Sequence, residues 1–317
     1  MNKCLCCYKP LKAGEIDFHK RCARKFFGSN TVPTLPYTRK EINKLAKVVI
    51  AKHTTVTGVQ AKLSVDLEHD EYGNPQRLTI VGVMGRYILK PQTERFTCLP
   101  EIEDLTMHLA EIARIETVPH SLIRFADGEL NYITRRIDRS DSGEKYAMED
   151  FCQISEHLTE HKYNGSYEMI AMLIKRHSAA PLLDLTNFWQ QVVFSWIVGN
   201  ADMHLKNFSL ISHKKGIYNL SPTYDQVSTA IVMPEDTEEL ALSLNGWKKK
   251  LMRADFLESM IESGLDTIVA NRILDRFQTY KDKWNETIDL SFITEEQKQQ
   301  FKEQISQRLA ILGKRKG

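Results

Sequence analysis

A carboxylate, an amide and a second carboxylate occur in a fixed order in one part of the chain, and this order constrains the fold more than any other feature. Asp202 and Asn207 are separated by four residues, and Asp225 comes 18 residues after Asn207. Phosphoryl transfer needs a carboxylate that accepts a hydroxyl proton, and an amide oxygen and a second carboxylate that hold magnesium against a triphosphate. The pattern therefore predicts Asp202 as the proton acceptor, and Asn207 and Asp225 as magnesium ligands, in the sequence order that protein kinases use.

At 317 residues the chain is long enough for two lobes with separate cores. Its formal charge of +2 comes from interspersed basic and acidic residues, whereas sequence-independent binding of nucleic acid needs a clustered cationic face. We therefore expect no direct DNA binding. The most apolar stretch, residues 188–199, is too short to cross a bilayer, and the N-terminus lacks the apolar segment of a secretory signal. The sequence thus predicts a cytoplasmic protein without a membrane span or disulfides.

Four of the six cysteines lie within the first 22 residues. Cys4 and Cys7 form one pair with two residues between them, His19 and Cys22 form a second, and Cys6 is left over. Paired spacing in a reducing compartment favours zinc over a disulfide, and a closed site of three thiolates and one imidazole would fold a segment too small to build its own core. The alternative is a set of buried thiols. A closed four-ligand zinc site would leave no position for catalysis.

Strand signals are confined to the N-terminal half. Gly28 to Pro36 has the composition of a linker, and Thr38 with Glu41 forms a capping box that predicts a helix over 39–51. Apparent strands follow near residues 62–67, 77–83, 86–89 and 130–135, with a turn at 70–75. The helix between the third and fourth strands is marked by Ile102, Leu105, Leu109 and Ile112. Its apolar stripe can pack on the sheet.

Beyond Arg139 helical patterns dominate, and the last helix is predicted to start at the capping box of Thr294 and Gln297. Its buried stripe is Phe301, Ile305, Leu309 and Leu312, and Gly313 is placed to stop it. We predict an α+β protein with a bilobal, protein-kinase-like fold. It would have a Cys/His extension and linker over 1–36, a small β-rich N-lobe over 37–133 and a mostly α-helical C-lobe over 134–317.

Lys90 ends the run Tyr-Ile-Leu-Lys, where strand alternation would turn its ammonium toward nucleotide phosphates. A lysine ending a strand is usually just solvated, but Lys90 lies between a glycine-containing loop and the helix that carries Glu101, Glu103 and Asp104. We expect one of these carboxylates to orient Lys90, and we choose Glu103. Any of the three could instead be a helix-start charge favoured by the helix dipole.

The loop from Thr54 to Lys62 precedes this strand and contains a single glycine, Gly58. Its backbone N–H groups and Lys62 would lie over the triphosphate. The loop lacks both the Walker pattern and the Gly-x-Gly-x-x-Gly pattern, so the glycine could simply form a turn.

Two further residues lie between Asp202 and Asn207. His204 is expected to buttress the loop backbone, and Lys206 to neutralise charge on the transferred phosphoryl group, although either could be a plain surface residue. Asp and Asn also cap loops often, but capping does not explain why Lys90, Asp202, Asn207 and Asp225 follow in kinase order.

From Thr55 onward the chain resembles the HipA-like serine/threonine protein kinases of bacterial toxin–antitoxin modules, and most closely the shorter HipT type. The segments that carry the resemblance are Thr-Val-Thr-Gly-Val-Gln-Ala-Lys (55–62), Tyr-Ile-Leu-Lys-Pro (87–91), Thr-Arg-Arg-Ile-Asp-Arg (134–139), Glu-Asp-Phe-Cys-Gln (149–153), Gly-Asn-Ala-Asp-Met-His-Leu-Lys-Asn-Phe-Ser (199–209) and Ser-Pro-Thr-Tyr-Asp (221–225). Two departures are the absence of the N-terminal subdomain of full-length HipA proteins, and Ile102 in place of the usual Asn of a Glu-Asn-Glu run.

The resemblance implies a role for each matching residue. Asp202 would accept the proton, Asn207 and Asp225 would hold magnesium, residues 57–62 would cover ATP, and residues 135–137 would form the hinge beside adenine. The implied nucleotide-binding set is Thr57, Gly58, Val59, Gln60, Lys62, Lys90, Glu103, Arg135, Arg136, Ile137, His204, Asn207, Tyr224 and Asp225. Family members phosphorylate hydroxyls of the loop before the glycine and so switch themselves off; the matching residues here are Thr55 and Thr57.

The resemblance also implies an ATP- and Mg²⁺-dependent toxin that phosphorylates a cytoplasmic protein, as relatives phosphorylate aminoacyl-tRNA synthetases. Its expected partners are a HipB-like DNA-binding antitoxin, through which DNA would be contacted only indirectly, and a small HipS-like companion that supplies the missing subdomain. One alternative is a small-molecule kinase of the antibiotic phosphotransferase type. A second is a nucleotide-binding scaffold for a transcriptional regulator, with the Cys/His segment as its docking surface.

Overall fold

The computed structural model describes residues 2–42, 44–45, 60–82, 84–140 and 142–314. Of the predicted phosphate loop, Thr55, Thr57, Gly58 and Val59 lie outside the described residues. The chain divides into two compact units. The first comprises Met1–Asp104, Val118–Glu144 and Leu290–Phe292, and the second comprises Leu105–Thr117, Lys145–Asp289 and Ile293–Gly317.

The first unit contains a five-stranded antiparallel sheet in the order β2-β1-β3-β5-β4. Its strands are β1 (Leu63–His69), β2 (Pro75–Ile80), β3 (Tyr87–Lys90), β4 (His120–Arg124) and β5 (Leu130–Arg135). Four of them match the predicted strands, and β4 is the addition. The first four residues of β4 are all buried, so it lacks the polar–apolar alternation by which a half-exposed strand is recognised.

The N-terminal segment is attached to this sheet. Helix α1 (Lys20–Phe27) brings the rings of Phe26 and Phe27 to 5.8 and 6.2 Å from that of Tyr87 on β3. The stretch 28–36 is not the free linker that its composition predicts, because Thr34 pairs with β2 through hydrogen bonds of 3.1 and 2.8 Å. The predicted capping box of Thr38 and Glu41 is present.

The second unit is mostly helical, as predicted. Helix α2 (Leu99–Ile112) starts in the first unit and continues into the second. The helices that follow it are α3 (Phe151–Ile154), α4 (Tyr167–His177), α5 (Pro181–Val198), α6 (Thr229–Val232), α7 (Arg253–Glu262), α8 (Thr267–Arg276), α9 (Lys281–Leu290) and α10 (Glu295–Gly313). Short 3₁₀ turns cover Thr159–His161, Leu205–Asn207 and Phe277–Tyr280. None of the described helices is long and apolar enough to cross a membrane.

A small second sheet is absent from the sequence prediction. Its strands β6 (Ala147–Asp150), β7 (Ser209–Lys214) and β8 (Ile217–Leu220) pair in that order, and Asp150 lies opposite Ser209. Strands of four to six residues leave too few positions for a period of two to emerge from the helical pattern around them. The sheet matters because β7 begins two residues after Asn207.

The core of the second unit is built on α5, whose residues 188–198 are all buried. Burial extends to Gln190, whose amide oxygen accepts a 2.6 Å hydrogen bond from Arg276. Helix α10 packs the predicted stripe inward, and each of its large apolar side chains contributes on the order of 1.5–3 kcal/mol by burial. The buried end of α5 carries the loop that holds Asp202.

Candidate active site

Lys90 and Glu103 form a buried ion pair in the first unit. The Lys90 Nζ lies 2.5 Å from the Glu103 Oε1, and the two side chains are 4% and 3% exposed. The ring of Tyr132, on the neighbouring strand β5, is centred 5.3 Å from the ammonium. A buried lysine must be paired, and removing one partner of such a pair costs about 3–5 kcal/mol. Lys90 is therefore not the solvated strand-end lysine of the alternative interpretation.

The other two carboxylates at the start of α2 lie elsewhere. Asp104 accepts a 2.6 Å hydrogen bond from the Tyr8 hydroxyl and binds the His120 ring at 2.7 Å. Burial raises the pKa of the Glu101 carboxyl to about 7. The contact with Lys90 at 2.5 Å supports the choice of Glu103.

The predicted hinge begins at the end of β5. The Arg135 N–H donates to the Pro119 carbonyl, and the Arg136 N–H donates to the Arg86 carbonyl at 2.8 Å. The Arg136 guanidinium binds both oxygens of Asp138, at 2.8 and 2.7 Å. This fork fixes the direction in which the chain leaves the sheet. Ile137, which follows, is half-buried.

The last three residues of the predicted phosphate loop, 60–62, are described. The Gln60 side-chain amide donates a 2.9 Å hydrogen bond to the carbonyl of Pro91, the residue after Lys90. Lys62 immediately precedes β1 and is half-buried. The end of the loop is therefore tied to the strand that carries Lys90.

In the second unit, α5 ends at Gly199, and a buried network fixes the polar loop that follows. Gly199 has φ +71°, and a Cβ there would lie 2.7 Å from that of Ala230. The Thr229 hydroxyl donates to the Gly199 carbonyl and accepts from the Ala201 N–H, at 3.1 and 2.8 Å. The Asn200 amide donates a 2.9 Å hydrogen bond to Gln226, so the loop is bound to the segment that carries Asp225.

Asp202 and Asn207 are joined across this loop. The Asn207 Nδ2 donates a 2.8 Å hydrogen bond to the Asp202 backbone carbonyl, and the Asn207 side chain is buried. Since the amide nitrogen is used in this way, the amide oxygen is the atom left to bind a metal ion. The Oδ1 of Asp202 accepts a 2.6 Å hydrogen bond from the Tyr163 hydroxyl, which fixes the direction of the carboxylate.

His204 is buried beneath the loop, and its ring lies edge-on to that of Tyr163 at 5.0 Å. Burial lowers the pKa of its imidazole to about 4, although the negative charges of Asp202 and Asp225 act in the opposite direction. The imidazole is therefore neutral near pH 7. The His204 N–H donates to the Asp202 carbonyl at 2.9 Å, a contact that fits the expected buttress.

The Lys206 ammonium, which is expected to neutralise charge on the transferred phosphoryl group, has a protein partner in this structure. Its Nζ is bound to the Asp150 carboxylate at 2.7 Å. The other oxygen of Asp150 accepts a 2.9 Å hydrogen bond from the Gln153 N–H and caps α3. Residues 149–153 therefore bind the loop between Asp202 and Asn207 through Lys206.

Tyr224, implied as a nucleotide contact, uses its hydroxyl to hold the loop. That hydroxyl donates to the Lys206 carbonyl at 3.0 Å and contacts the Ser209 hydroxyl at 2.5 Å. Asp225 follows with φ +55°, a left-handed conformation that costs an aspartate on the order of 1 kcal/mol or more. Such strain persists where the surroundings dictate the conformation, here through the buried Gln226 that follows.

The sequence interpretation gives no role to three residues of this site, Tyr163, Asn200 and Asp150, although the last two lie in segments that carry the family resemblance. Each acts through a partner 26 to 56 residues away, and spacing rules do not reach that far. Asp150 also carries a local signal in the sequence, since Asp150 and Gln153 form a capping box.

The predicted zinc ligands also come together, within the first unit. The Cys4, Cys7 and Cys22 sulfurs and a His19 ring nitrogen all lie within 4.8 Å of one another. The His19 Nδ1 is 3.4 Å from the Cys7 Sγ and 3.8 Å from the Cys22 Sγ. Ligands of a tetrahedral zinc ion at its usual bond lengths are separated by about 3.6 Å for nitrogen and sulfur, so the donor set fits this metal.

The family assignment rests on residues 54–284, which match the HipA-like C-terminal domain. The chain belongs to this family. A Haemophilus influenzae protein named "Putative kinase" is 26% identical over 330 residues, covering 92% of both chains. A Sinorhizobium fredii protein named "Putative kinase Y4dM" is 31% identical over 202 residues, which cover 60% of this chain and 48% of the relative. The resemblance expected from the sequence is thus confirmed at the level of the family.

Two solved structures share the fold. HipA of the Shewanella oneidensis toxin–antitoxin system, solved with HipB and operator DNA, superposes with a TM-score of 0.67 and 19% identity, over 88% of this chain and 71% of HipA. The Helicobacter pylori proinflammatory kinase CtkA gives a TM-score of 0.56 and 15% identity, over 79% of this chain and 93% of CtkA. The predicted α+β class, with a β-rich N-terminal sheet and a helical C-terminal part, agrees with both.

Proposed function

We propose that the protein is an ATP-dependent serine/threonine protein kinase of the HipA-like family. The observation that carries the proposal is the buried pair of Lys90 and Glu103. Burying two charges costs desolvation free energy, which suggests that the pair is kept for a function. A lysine held in one position at the end of a strand is suited to binding nucleotide phosphates. The relatives named as kinases support the same activity.

In this mechanism Asp202 accepts the proton of the substrate hydroxyl. The Tyr163 hydroxyl orients that carboxylate, and the Asn207 side-chain amide and the His204 backbone N–H hold the Asp202 backbone carbonyl. The Asn207 amide oxygen and the Asp225 carboxylate would supply the oxygen donors that magnesium prefers. Magnesium, when bound, would neutralise phosphate charge. Since His204 is neutral near pH 7, it adds no positive charge that would compete with the metal.

The proposal extends to regulation and biological role. Phosphorylation of Thr55 or Thr57 would place a dianion in the loop expected to cover ATP, and like-charge repulsion would displace the triphosphate. We also propose that the protein is a toxin of the HipT type. Its proposed partners are a HipB-like antitoxin and a HipS-like companion. HipA of Shewanella oneidensis, solved with HipB and operator DNA, supports the antitoxin.

Incubation with γ-labelled ATP and magnesium tests the activity. We expect the wild type to label itself and protein targets, and Asp202→Asn to lower the rate by about 100-fold or more, the equivalent of about 3 kcal/mol. The matched control is Asp289→Asn, which removes a carboxylate paired with Lys302 on the surface of the same unit and should leave the rate unchanged. Equal rates for Asp202→Asn and wild type would refute the proposal. Transfer to an aminoglycoside but to no protein would replace it with the small-molecule alternative.

The toxin role has a separate test. Induction of the wild type should arrest growth, and induction of Asp202→Asn should not. Mass spectrometry of phosphopeptides after brief induction would identify the substrate. Unimpaired growth with an active enzyme would refute the toxin role and leave the kinase activity standing.

A further inference from the structure

The Cys/His segment contacts the helix that carries Glu103. Tyr8 immediately follows Cys7, is buried, and has φ +60°, a conformation that is unusual for tyrosine. Its N–H donates to the Cys4 carbonyl at 2.9 Å, which closes the turn between two of the candidate ligands. The direction of the Tyr8 side chain is therefore set by the same turn that places the Cys4 and Cys7 sulfurs.

The Tyr8 hydroxyl reaches α2 at the residue next to Glu103. It donates a 2.6 Å hydrogen bond to the Asp104 Oδ2, and the His120 ring binds the Oδ1 at 2.7 Å. Asp104 is fully buried, so these contacts satisfy polar atoms that have no access to water. Since Glu103 and Asp104 are adjacent, fixing Asp104 also fixes the turn from which Glu103 reaches Lys90.

The orientation of the His19 ring, and not only the distances between the donor atoms, favours metal binding. The His19 Nε2 lies 2.9 Å from the Pro10 carbonyl, and donation of its proton there leaves the Nδ1 lone pair directed at the Cys7 and Cys22 sulfurs. A second hydrogen bond of this kind, on the ring nitrogen away from the metal, is the usual way in which proteins orient a histidine ligand. The His19 N–H also donates to the Cys4 Sγ at 3.4 Å.

We propose that Cys4, Cys7, His19 and Cys22 bind one Zn²⁺ ion, and that this ion positions Glu103 for Lys90 through the contact between Tyr8 and Asp104. Zinc closes the turn that ends in Tyr8, Tyr8 holds Asp104, and α2 then presents Glu103 in one orientation. Tyr8 is a positioning residue in this scheme, and the zinc takes no part in the chemistry. The effect on Glu103 rests on the proposed kinase function, whereas zinc binding does not.

The first experiment measures the zinc content of the purified full chain by atomic emission. We expect about one zinc per chain in the wild type and at least a fivefold loss in Cys7→Ser. The matched control is Cys6→Ser, which removes the neighbouring thiol outside the donor set and should keep the zinc. A wild type without zinc, or equal losses in the two variants, would overturn the site.

The second experiment measures hydrogen exchange in peptides that cover residues 99–112. Chelation of zinc, and Tyr8→Phe with its zinc retained, should each speed exchange there at least fivefold. Tyr72→Phe, which changes an exposed tyrosine of the same unit, should leave it unchanged. Unchanged exchange after both perturbations would overturn the coupling, whether or not the protein is a kinase.

A double-mutant cycle then tests whether Tyr8 acts through Glu103. Tyr8→Phe should lower kcat/KM for ATP at least fivefold in the wild type, but less than twofold in the Glu103→Gln background. Equal effects in the two backgrounds would show that Tyr8 is merely structural. A wild type with no phosphotransfer would refute the proposed function, while the zinc and exchange results would still decide the metal site and its contact with α2.

Discussion

Gly199 is the position where a single methyl group should do the most damage to the loop that carries Asp202. It ends α5 with φ +71°, and its carbonyl accepts hydrogen bonds from the Thr229 hydroxyl and the Ala230 N–H. Substitution by alanine combines an unfavourable backbone conformation with a steric contact. Both effects act at the base of the loop.

The two penalties can be sized from the structure. A residue with a Cβ in the left-handed region costs about 1–2 kcal/mol. The new Cβ would lie 2.7 Å from that of Ala230 and 3.2 Å from the Gln304 side chain, whereas carbon atoms pack at about 3.5–4.0 Å. Overpacking of this kind costs a further 1–3 kcal/mol or so. We therefore expect Gly199→Ala to lower the free energy of unfolding by about 2–5 kcal/mol.

Gly216 provides the matched control. It has φ +80° in the turn between β7 and β8, and no atom lies within 4 Å of a Cβ placed there. Gly216→Ala should therefore cost only the backbone penalty of about 1–2 kcal/mol. Urea unfolding of the full chain measures both variants, and Gly199→Ala should have the lower midpoint at an unchanged slope. Equal midpoints would refute the steric argument, and an unchanged phosphotransfer rate in folded Gly199→Ala would refute its link to Asp202.

Other predictions concern the loop and the buried titratable groups. Tyr163→Phe removes the hydroxyl that donates to Asp202. It should lower kcat about tenfold, equivalent to about 1.4 kcal/mol, at an unchanged KM for ATP. Steady-state kinetics measures both constants, and an unchanged kcat would contradict the prediction. Because burial lowers the pKa of His204 from 6.5 to about 4, the unfolded chain takes up that proton first, and stability should fall as the pH drops from 6.5 to 4, by up to about 1.4 kcal/mol per pH unit. His204→Gln should remove this slope in urea unfolding between pH 4 and 7. Burial raises the pKa of Glu101 from 4.5 to about 7, so this group should make stability fall as the pH rises through that range, and Glu101→Gln should remove the loss. Since the two slopes oppose each other, either variant that left the pH profile unchanged would contradict the assignment for its own group.

Features that depend on local spacing could be predicted from the sequence. The capping boxes at Thr38 and Thr294 need only a partner three residues away, and both are present. The order of Lys90, Asp202, Asn207 and Asp225 could be recognised because phosphoryl transfer restricts the residue types at these positions. Their catalytic and metal-binding roles stay predictions.

Features that depend on tertiary contacts could not be predicted. The partner of the Lys206 ammonium, Asp150, lies 56 residues away on a strand too short to recognise. The Tyr163 hydroxyl reaches Asp202 across 39 residues. Strand β4 is missed because burial on both faces erases its alternation. In each case the identity of the residue is determined by a neighbour in space rather than in sequence.

Glu103 and Asp104, which are adjacent in α2, restrict how this helix can rotate about its axis. Successive residues of an α-helix are about 100° apart around its axis, and here the two neighbours face different buried partners, Lys90 and the pair of Tyr8 and His120. Turning the helix far enough to free one carboxylate would strip the other of its partners too. A regulator that acted by such a rotation would therefore release both contacts together, with no state in which only one carboxylate is engaged.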